Sequence, residues 1–428
     1  MRFVSTRGRV PAVPFTHALR HGLAPDGGLY VPERFPTIDR ADVEAATTFA
    51  GAAARVLAPF LSGDPLEAHL DRLCERAFDF PVPLTPIGES TALLELFHGP
   101  TAAFKDFGAR FLAESIEANE TECADARPVT VLVATSGDTG GAVAAAFAGR
   151  RGTRVVVLYP KGGVSPRQEH QLTCWGGNVR AFAVRGTFDD CQRMAKAAFA
   201  DAAIGHACRL TSANSINIGR LLPQVTYYAV AALAHRRATG SDPGFVVPTG
   251  NVGNVAAAFW AKRTGFPLRR VALATNANRP IVDWFETGEW RPRPSLKTLA
   301  NAMDVGDPSN MERLFHLYPE RQAFLADAMA RSVDDATIRR TIAEGPARYG
   351  RVWCPHTATA IRVREDLGPE EWVVVATAHP AKFETIVEPL VGRTVEPPPR
   401  LAEVLKRPTE VTEIGPDLAE LRPYVVGD

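Results

Sequence analysis

From Leu93 onward the chain alternates between short apolar, β-branched runs and longer amphipathic stretches. The apolar runs predict strands over Leu93–Phe97, Val129–Ala134, Arg154–Tyr159, Val179–Val184, Phe245–Pro248, Arg269–Thr275 and Trp372–Thr377. The stretches between them predict helices over Phe107–Ala118, Gly141–Ala148, Phe188–Ala203, Leu222–Arg237, Val255–Thr264, Val333–Arg348 and Thr357–Asp366. Strand–helix alternation of this kind builds an α/β fold with largely parallel sheets and right-handed crossovers. In such folds ligands sit at the carboxyl ends of strands, where loops enter helices.

The first 85 residues break this rhythm. Asp26-Gly27-Gly28 is a turn signal between Gly22–Pro25 and the extended run Leu29–Pro32, and the Ala-rich stretch Ala41–Leu61 and Pro65–Phe78 predict helices. The connector Pro81–Pro86 marks a boundary, because proline lacks the donor that a helix interior or ladder needs. The expected organisation is a mixed N-terminal domain over 1–85, a smaller α/β domain over 86–235 and a larger one over 236–428. Glu396–Arg400 reads as a surface connector before a final helix and strand.

Composition narrows the function classes. A chain of 428 residues is long enough for two or three domains and a sizeable core. Lys+Arg and Asp+Glu are both 48, so no broad charge draws the protein to nucleic acid or anionic membrane, and an anionic ligand must be held by a local site. No apolar run reaches the roughly 20 residues that span a bilayer. The cysteines are Cys74, Cys123, Cys174, Cys191, Cys208 and Cys354, with no Cys-x-x-Cys pair, and Met1–Arg7 shows no signal-peptide pattern. A reduced, cytoplasmic protein is expected, with each cysteine a small buried hydrophobe.

Three strand-to-helix loops carry candidate chemistry. Pro248-Thr249-Gly250-Asn251-Val252-Gly253-Asn254 follows a β-run and opens an Ala-rich helix. Gly250 and Gly253 let backbone N–H groups close on an anion, the helix start adds donors and partial positive charge, and Asn251 and Asn254 add side-chain amides. The loop lacks the Gly-Lys-Ser/Thr of a nucleotide P-loop, which suits a phosphate that stays bound; the alternative for the loop alone is a capped turn. Lys105 lies in Phe104-Lys105-Asp106-Phe107-Gly108, where a predicted helix begins. A helix N-terminus and aromatic neighbours both lower a lysine pKa and favour the neutral amine that a Schiff-base nucleophile requires; the alternative is a packed stem with a solvated head paired with Asp106. Ser136-Gly137-Asp138-Thr139-Gly140 follows Val129–Ala134, and its hydroxyl and N–H donors suit an amino-acid carboxylate, or again a capped turn. Its glycine spacing excludes the dinucleotide fingerprint.

Taken in order along nearly the whole chain, the motifs resemble one family. They are Ser5–Gly8, Gly22–Pro32, His98–Thr101, Phe104–Gly108, Ser136–Gly140, Tyr159–Gly162, Gly186–Cys191, Asn214–Gln224, the 250–254 loop, Pro308–Arg313 and Ala376–Phe383. The sequence resembles the threonine synthases of the bacterial and fungal long form, which are fold type II, tryptophan synthase β-like enzymes dependent on pyridoxal phosphate (PLP). The resemblance implies two parallel-sheet α/β domains plus a mixed N-terminal domain, and conversion of O-phospho-L-homoserine and water to L-threonine and phosphate. It implies that Lys105 carries PLP as a Schiff base and serves as base and acid. Gly250, Asn251, Val252, Gly253 and Asn254 would bind the PLP phosphate, and Thr377 the pyridine nitrogen. The family usually has Phe where this chain has Val252, a change that is harmless if the position acts through its backbone N–H. Ser136, Asp138 and Thr139 would take the substrate carboxylate. Asn214, Ser215 and Arg220 would take the substrate phosphate, with Lys161 and Lys382 as weaker candidates in the same cleft. Implied besides are a monomer or homodimer, no metal, and no nucleic-acid or membrane partner. The competing readings are a serine/threonine dehydratase, a phospholyase on a related phosphoester, and a catalytically silent relative that binds PLP or a phosphorylated metabolite.

Overall fold

A computed structural model describes residues 1–120 and 127–426. Cys123 lies outside the described residues; the other five cysteines are free and buried. The strands are β1 (Phe3–Ser5), β2 (Tyr30–Pro32), β3 (Leu84–Gly88), β4 (Thr91–Glu95), β5 (Val129–Ala134), β6 (Thr153–Pro160) and β7 (Val179–Val184). They continue with β8 (Arg209–Ser212), β9 (Gly244–Pro248), β10 (Val271–Thr275), β11 (Ala328–Ser332), β12 (Trp372–Ala376) and β13 (Thr412–Ile414). β5, β9 and β12 are buried at every position, which is why they read as continuous apolar runs and not as alternating ones.

β1 and β2 form a small antiparallel pair. The larger sheet runs in the order β11-β10-β9-β12-β4-β3 and the smaller in the order β13-β7-β6-β5-β8. All pairings in these two sheets are parallel except that of β3 with β4. The Pro81–Pro86 connector runs into β3, whose Pro86 is tolerated because β3 is an edge strand.

The sheets interleave along the chain, and this departs from the expected division at 86 and 236. β3 and β4 join the sheet built from residues 244–376, while β13 joins the sheet of residues 129–212. Sheet membership is set by partners far away in sequence, which contiguous segments cannot express. The predicted helix Phe188–Ala203 breaks into Phe188–Ala200 and Ala202–Ala207 around Asp201, whose carboxylate caps the second.

Each large sheet reverses its winding. In the larger sheet the chain moves outward from β9 to β10 and β11, then returns to place β12 on the other side of β9. In the smaller it moves from β5 to β6 and β7, then returns to place β8 beside β5. Loops diverge at such switch points and leave a crevice outside the strand ends. The loops after β9 and β12, and those after β5 and β8, are 249–252, 377–379, 135–137 and 213–217, which with the openings of the helices that follow hold all the candidate residues except Lys105 and Lys161.

The N-terminal helices fix the lysine-bearing helix. Phe107 is fully buried, with its ring 4.9 Å from Phe80, 5.0 Å from Tyr227 and 5.7 Å from Phe49. Gly108 allows this helix to approach the 218–221 helix, since a Cβ there would lie 2.4 Å from the Arg220 carbonyl oxygen.

Candidate active site

Lys105 is the first residue of helix Lys105–Glu120. The turn before it is stitched to the exit of β12. Phe104 N–H donates to the Thr377 carbonyl at 2.8 Å, and His379 N–H donates to the Ala102 carbonyl at 3.0 Å. Ala102 takes φ +54°, a conformation that non-glycine residues rarely adopt, and these bonds hold it there. Asp106 accepts from Thr101 N–H at 2.9 Å and from the Thr101 hydroxyl at 2.7 Å, so its carboxylate braces the turn and does not pair with Lys105. The Lys105 amine is half-buried, 4.4 Å from the Phe104 ring centre. Burial lowers its pKa to about 8; the Arg220 charge adds to the shift and Asp138 opposes it.

The 250–254 loop reaches the same crevice. β12 pairs with β9 in a register that sets Val374 against Val246, so Thr377 and Thr249 leave the sheet side by side. Phe107 packs on Tyr227, and the Tyr227 hydroxyl lies 2.5 Å from Asn254 Oδ1. The Tyr227 side chain thus touches both the lysine helix and the loop. Helix Gly253–Arg263 starts in the loop, and a Cβ on Gly250 would sit 2.6 Å from Met303 Cα. Val252 holds φ +65°, which for a β-branched residue costs on the order of 1–3 kcal/mol. Its reading as a backbone donor leaves out that cost.

The side chains of this loop divide the work unevenly. Asn251 Nδ2 donates to the Ser215 hydroxyl at 2.7 Å, and Asn251 Oδ1 accepts from Ser309 N–H at 2.7 Å. Its amide therefore braces neighbouring chain segments. The Tyr228 hydroxyl donates to Asn254 Oδ1 at 2.8 Å, which leaves Asn254 Nδ2 buried without a partner among the described residues.

The switch-point loops of the smaller sheet face the same cleft. Thr135 Oγ1 accepts from Gly137 and Gly140 N–H at 3.0 and 2.9 Å and sets the turn. Ser136 and Thr139 stay partly exposed, whereas Asp138 is buried. The Asp138 carboxylate pairs with Lys382 Nζ at 3.0 Å and accepts from Gln168 Nε2 at 3.0 Å. Burial works against its charge, but Lys382, His356 and Gln168 together hold its pKa below the ordinary value. Lys382 is fully buried and also donates to the Thr101 carbonyl at 2.7 Å, so it is spent on the lysine turn. Asn214 Nδ2 donates to the Ala134 carbonyl at 2.8 Å, and Ser215 Oγ accepts from Asn251 and Asn310. Arg220 is buried; Nη1 donates to the Ala213 carbonyl and Nε has no partner among the described residues. Lys161 is not in the cleft: its half-exposed amine pairs with Glu413 at 2.6 Å.

Several residues enter the site that had no assigned role. Asn301 Nδ2 lies 3.3 Å from the Ser136 carbonyl and ties the two sheets together. His356 Nε2 accepts from Ala302 N–H at 3.2 Å, so the proton sits on Nδ1, which is buried without a partner among the described residues. Burial lowers the His356 pKa to about 4 and keeps the ring neutral. Asn310 and Arg313 belong to the Pro308–Arg313 run that the sequence singles out; Gln168 and His356 carry no local signal.

The group that fits these residues is a phosphorylated carbonyl compound. One amine has a depressed pKa, the Asn254 amide and Arg220 Nε are orphaned buried donors, and a helix start supplies further N–H groups. Thr377 is buried at the end of β12 with its carbonyl taken by Phe104.

The comparisons agree with that chemistry. The family described as "Pyridoxal-phosphate dependent enzyme" matches residues 86–378, "Threonine synthase N terminus" matches 2–78, and "Threonine synthase, C-terminal" matches 357–425. The threonine synthase of Serratia marcescens is 37% identical over 431 residues, covering 100% of this chain and 99% of its own length. The chain belongs to the threonine synthase family. Among solved threonine synthases, that of Escherichia coli superposes with a TM-score of 0.91 at 38% identity, over 99% of this chain and 98% of its own. The PLP-bound threonine synthase of Brucella melitensis gives a TM-score of 0.92 at 34% identity, over 100% and 99%. The fold type II architecture, with parallel sheets and an antiparallel N-terminal pair, is thus the threonine synthase fold.

Proposed function

We propose that this chain converts O-phospho-L-homoserine and water to L-threonine and phosphate, as a PLP-dependent carbon–oxygen lyase of threonine biosynthesis. The observation that carries the reading is one lysine amine, drawn toward neutrality, in a cleft with two separate sets of anion donors. A single phosphate needs one such set; a phosphorylated cofactor and a phosphorylated substrate need two.

Each residue has a part that follows from its surroundings. Lys105 would hold PLP and, as a free amine, would move protons at the α and β carbons of the substrate; its lowered pKa suits both parts near neutrality. PLP, when bound, supplies the electron sink for that chemistry. The N–H groups of Gly250–Asn254 and the unpaired Asn254 amide grip the cofactor phosphate, with Asn251 as their brace. The Thr377 hydroxyl meets the pyridine nitrogen. Ser136, Thr139 and their turn N–H groups take the substrate carboxylate. Asp138 serves that turn by anchoring it to Lys382, since a buried carboxylate repels another. Arg220 takes the substrate phosphate through its guanidinium fork, while Asn214 and Ser215 hold the loop beside it. Asn301 closes the crevice against water from the opposite wall. No helix among the described residues is long and apolar enough to cross a membrane. The reading carries a cytoplasmic monomer or homodimer with no nucleic-acid partner.

The test is stoichiometry. Purified protein given O-phospho-L-homoserine should release phosphate and form threonine in equal amounts. Formation of 2-oxobutanoate from threonine without that reaction contradicts the proposal in favour of a dehydratase.

A further inference from the structure

Arg313 has a buried charge that nothing in the described protein neutralises. Its side chain is fully buried, and its donors end on neutral oxygens. Nε donates to the Tyr30 carbonyl at 3.1 Å, Nη1 to the Ser215 carbonyl at 3.0 Å and to Asn310 Oδ1, and Nη2 to the Ile216 carbonyl at 2.6 Å. The carboxylate that it feels most, Glu312, is turned away to the Thr6 hydroxyl at 2.6 Å and Arg7 at 3.2 Å, and is about one-third exposed. Burial pulls the Arg313 pKa down to about 9, with Glu312 opposing; at neutral pH the guanidinium keeps its proton, so the cost of the buried charge stands.

The charge lies behind the 250–254 loop. Asn310, which accepts from Arg313, donates through Nδ2 to the Asn251 carbonyl at 2.9 Å and to the Ser215 hydroxyl at 3.1 Å. A Cβ on Gly253 would lie 3.3 Å from Ser215 Cβ and 3.5 Å from Asn310 Nδ2. The loop itself contains no lysine or arginine.

We propose that Arg313 is a positioning residue and the buried counter-charge of the anion in the 250–254 loop: it orders Ser215, Asn310 and Asn251 and is balanced when a phosphate occupies the loop. This rests on the reading of that loop as the grip on the cofactor phosphate. A phosphate held by the loop N–H groups would be parted from the guanidinium by the neutral layer of Asn310, Ser215 and Asn251, and buried charges interact more strongly across such a layer than across water.

The experiment compares PLP with pyridoxal, which lacks the phosphate. Holoenzyme is stripped, the full-length chain is reloaded with either compound, and dissociation constants are read from absorbance. Arg313→Gln keeps donors for the carbonyls and loses the charge; it should weaken PLP by on the order of tenfold or more and pyridoxal by less than about twofold. Arg313→Lys keeps the charge and should hold the preference for PLP within about threefold of the unaltered chain. Arg313→Met is the second neutral variant if the glutamine variant does not fold. Equal weakening of both compounds, or of neither, in the neutral variants overturns the proposal. Asn254→Asp separates the two readings. If it leaves the preference for PLP intact, the loop is not the phosphate grip and the proposal falls with it; if it abolishes the preference while Arg313→Gln does not, the role of Arg313 alone is wrong.

Discussion

The turn that carries Lys105 and the loop at 250–254 both connect a strand of the larger sheet to a helix, and they treat charge in opposite ways. Around the turn Asp106, Asp138 and Lys382 are all held by partners: Asp106 by Thr101, Lys382 by Asp138 and the Thr101 carbonyl, Asp138 also by Gln168. Around the loop the donors are incomplete, with Asn254 Nδ2 unpartnered among the described residues and Arg313 facing only neutral oxygens. A fully paired region holds geometry without a ligand. A region with buried, unmet donors carries a cost that a matching anion removes. The contrast separates the part of the site that aims a reactive atom from the part that awaits a phosphate.

The contrast can be broken at either end. The largest effect is expected from Asp138→Asn, which leaves Lys382 buried without its counter-charge; chemical denaturation should show a loss of about 3–5 kcal/mol, recovered in large part by adding Lys382→Met. A loss below about 1 kcal/mol would mean that the pairing is not what holds the turn. Next comes Arg220→Gln, which should raise KM for the phosphorylated substrate about 10–100-fold while the absorbance of bound cofactor stays unchanged. Loss of the cofactor instead would place the wrong phosphate at Arg220. The smallest effect is in pH. With its pKa drawn from 10.5 to about 8, the Lys105 amine gains its neutral form as pH rises, so the rate of PLP association should climb about tenfold per unit below 8 and level off above it. Between about 8 and 10.5 the unfolded chain holds a proton that the folded chain has lost, so this group also makes the cofactor-free fold more stable as pH rises through that window. A midpoint near 10.5 would contradict the assigned surroundings.

The sequence revealed the loops better than their wiring. β5 and β7 lie at the predicted bounds, because β5 is buried throughout and β7 at every position but Arg180, so both read as largely apolar runs. β8 (Arg-Leu-Thr-Ser), β11 (Ala-Met-Ala-Arg-Ser) and β3, with its proline, were not legible: their polar residues suit strands at or near sheet edges, and only their neighbours make them strands. The Gly/Asn and Ser/Thr runs mark anion loops because glycine permits close approach, as at Gly250, and the amide and hydroxyl side chains add polar groups; the left-handed residue of the 250–254 loop, Val252, gives no such signal. Which amide faces inward is not local information. Asn251 turns to Ser215 and Ser309, Lys382 to a partner 244 positions earlier in the chain, and Lys161 to the C-terminal strand.

The account depends on the Lys105 amine meeting PLP across from the loop. Borohydride reduction of the holoenzyme, followed by digestion and mass mapping, tests this directly. The account predicts loss of the yellow colour and one pyridoxyl phosphate group on the peptide that contains Lys105. A label on Lys382, Lys161 or any other lysine, or no label at all, would contradict it.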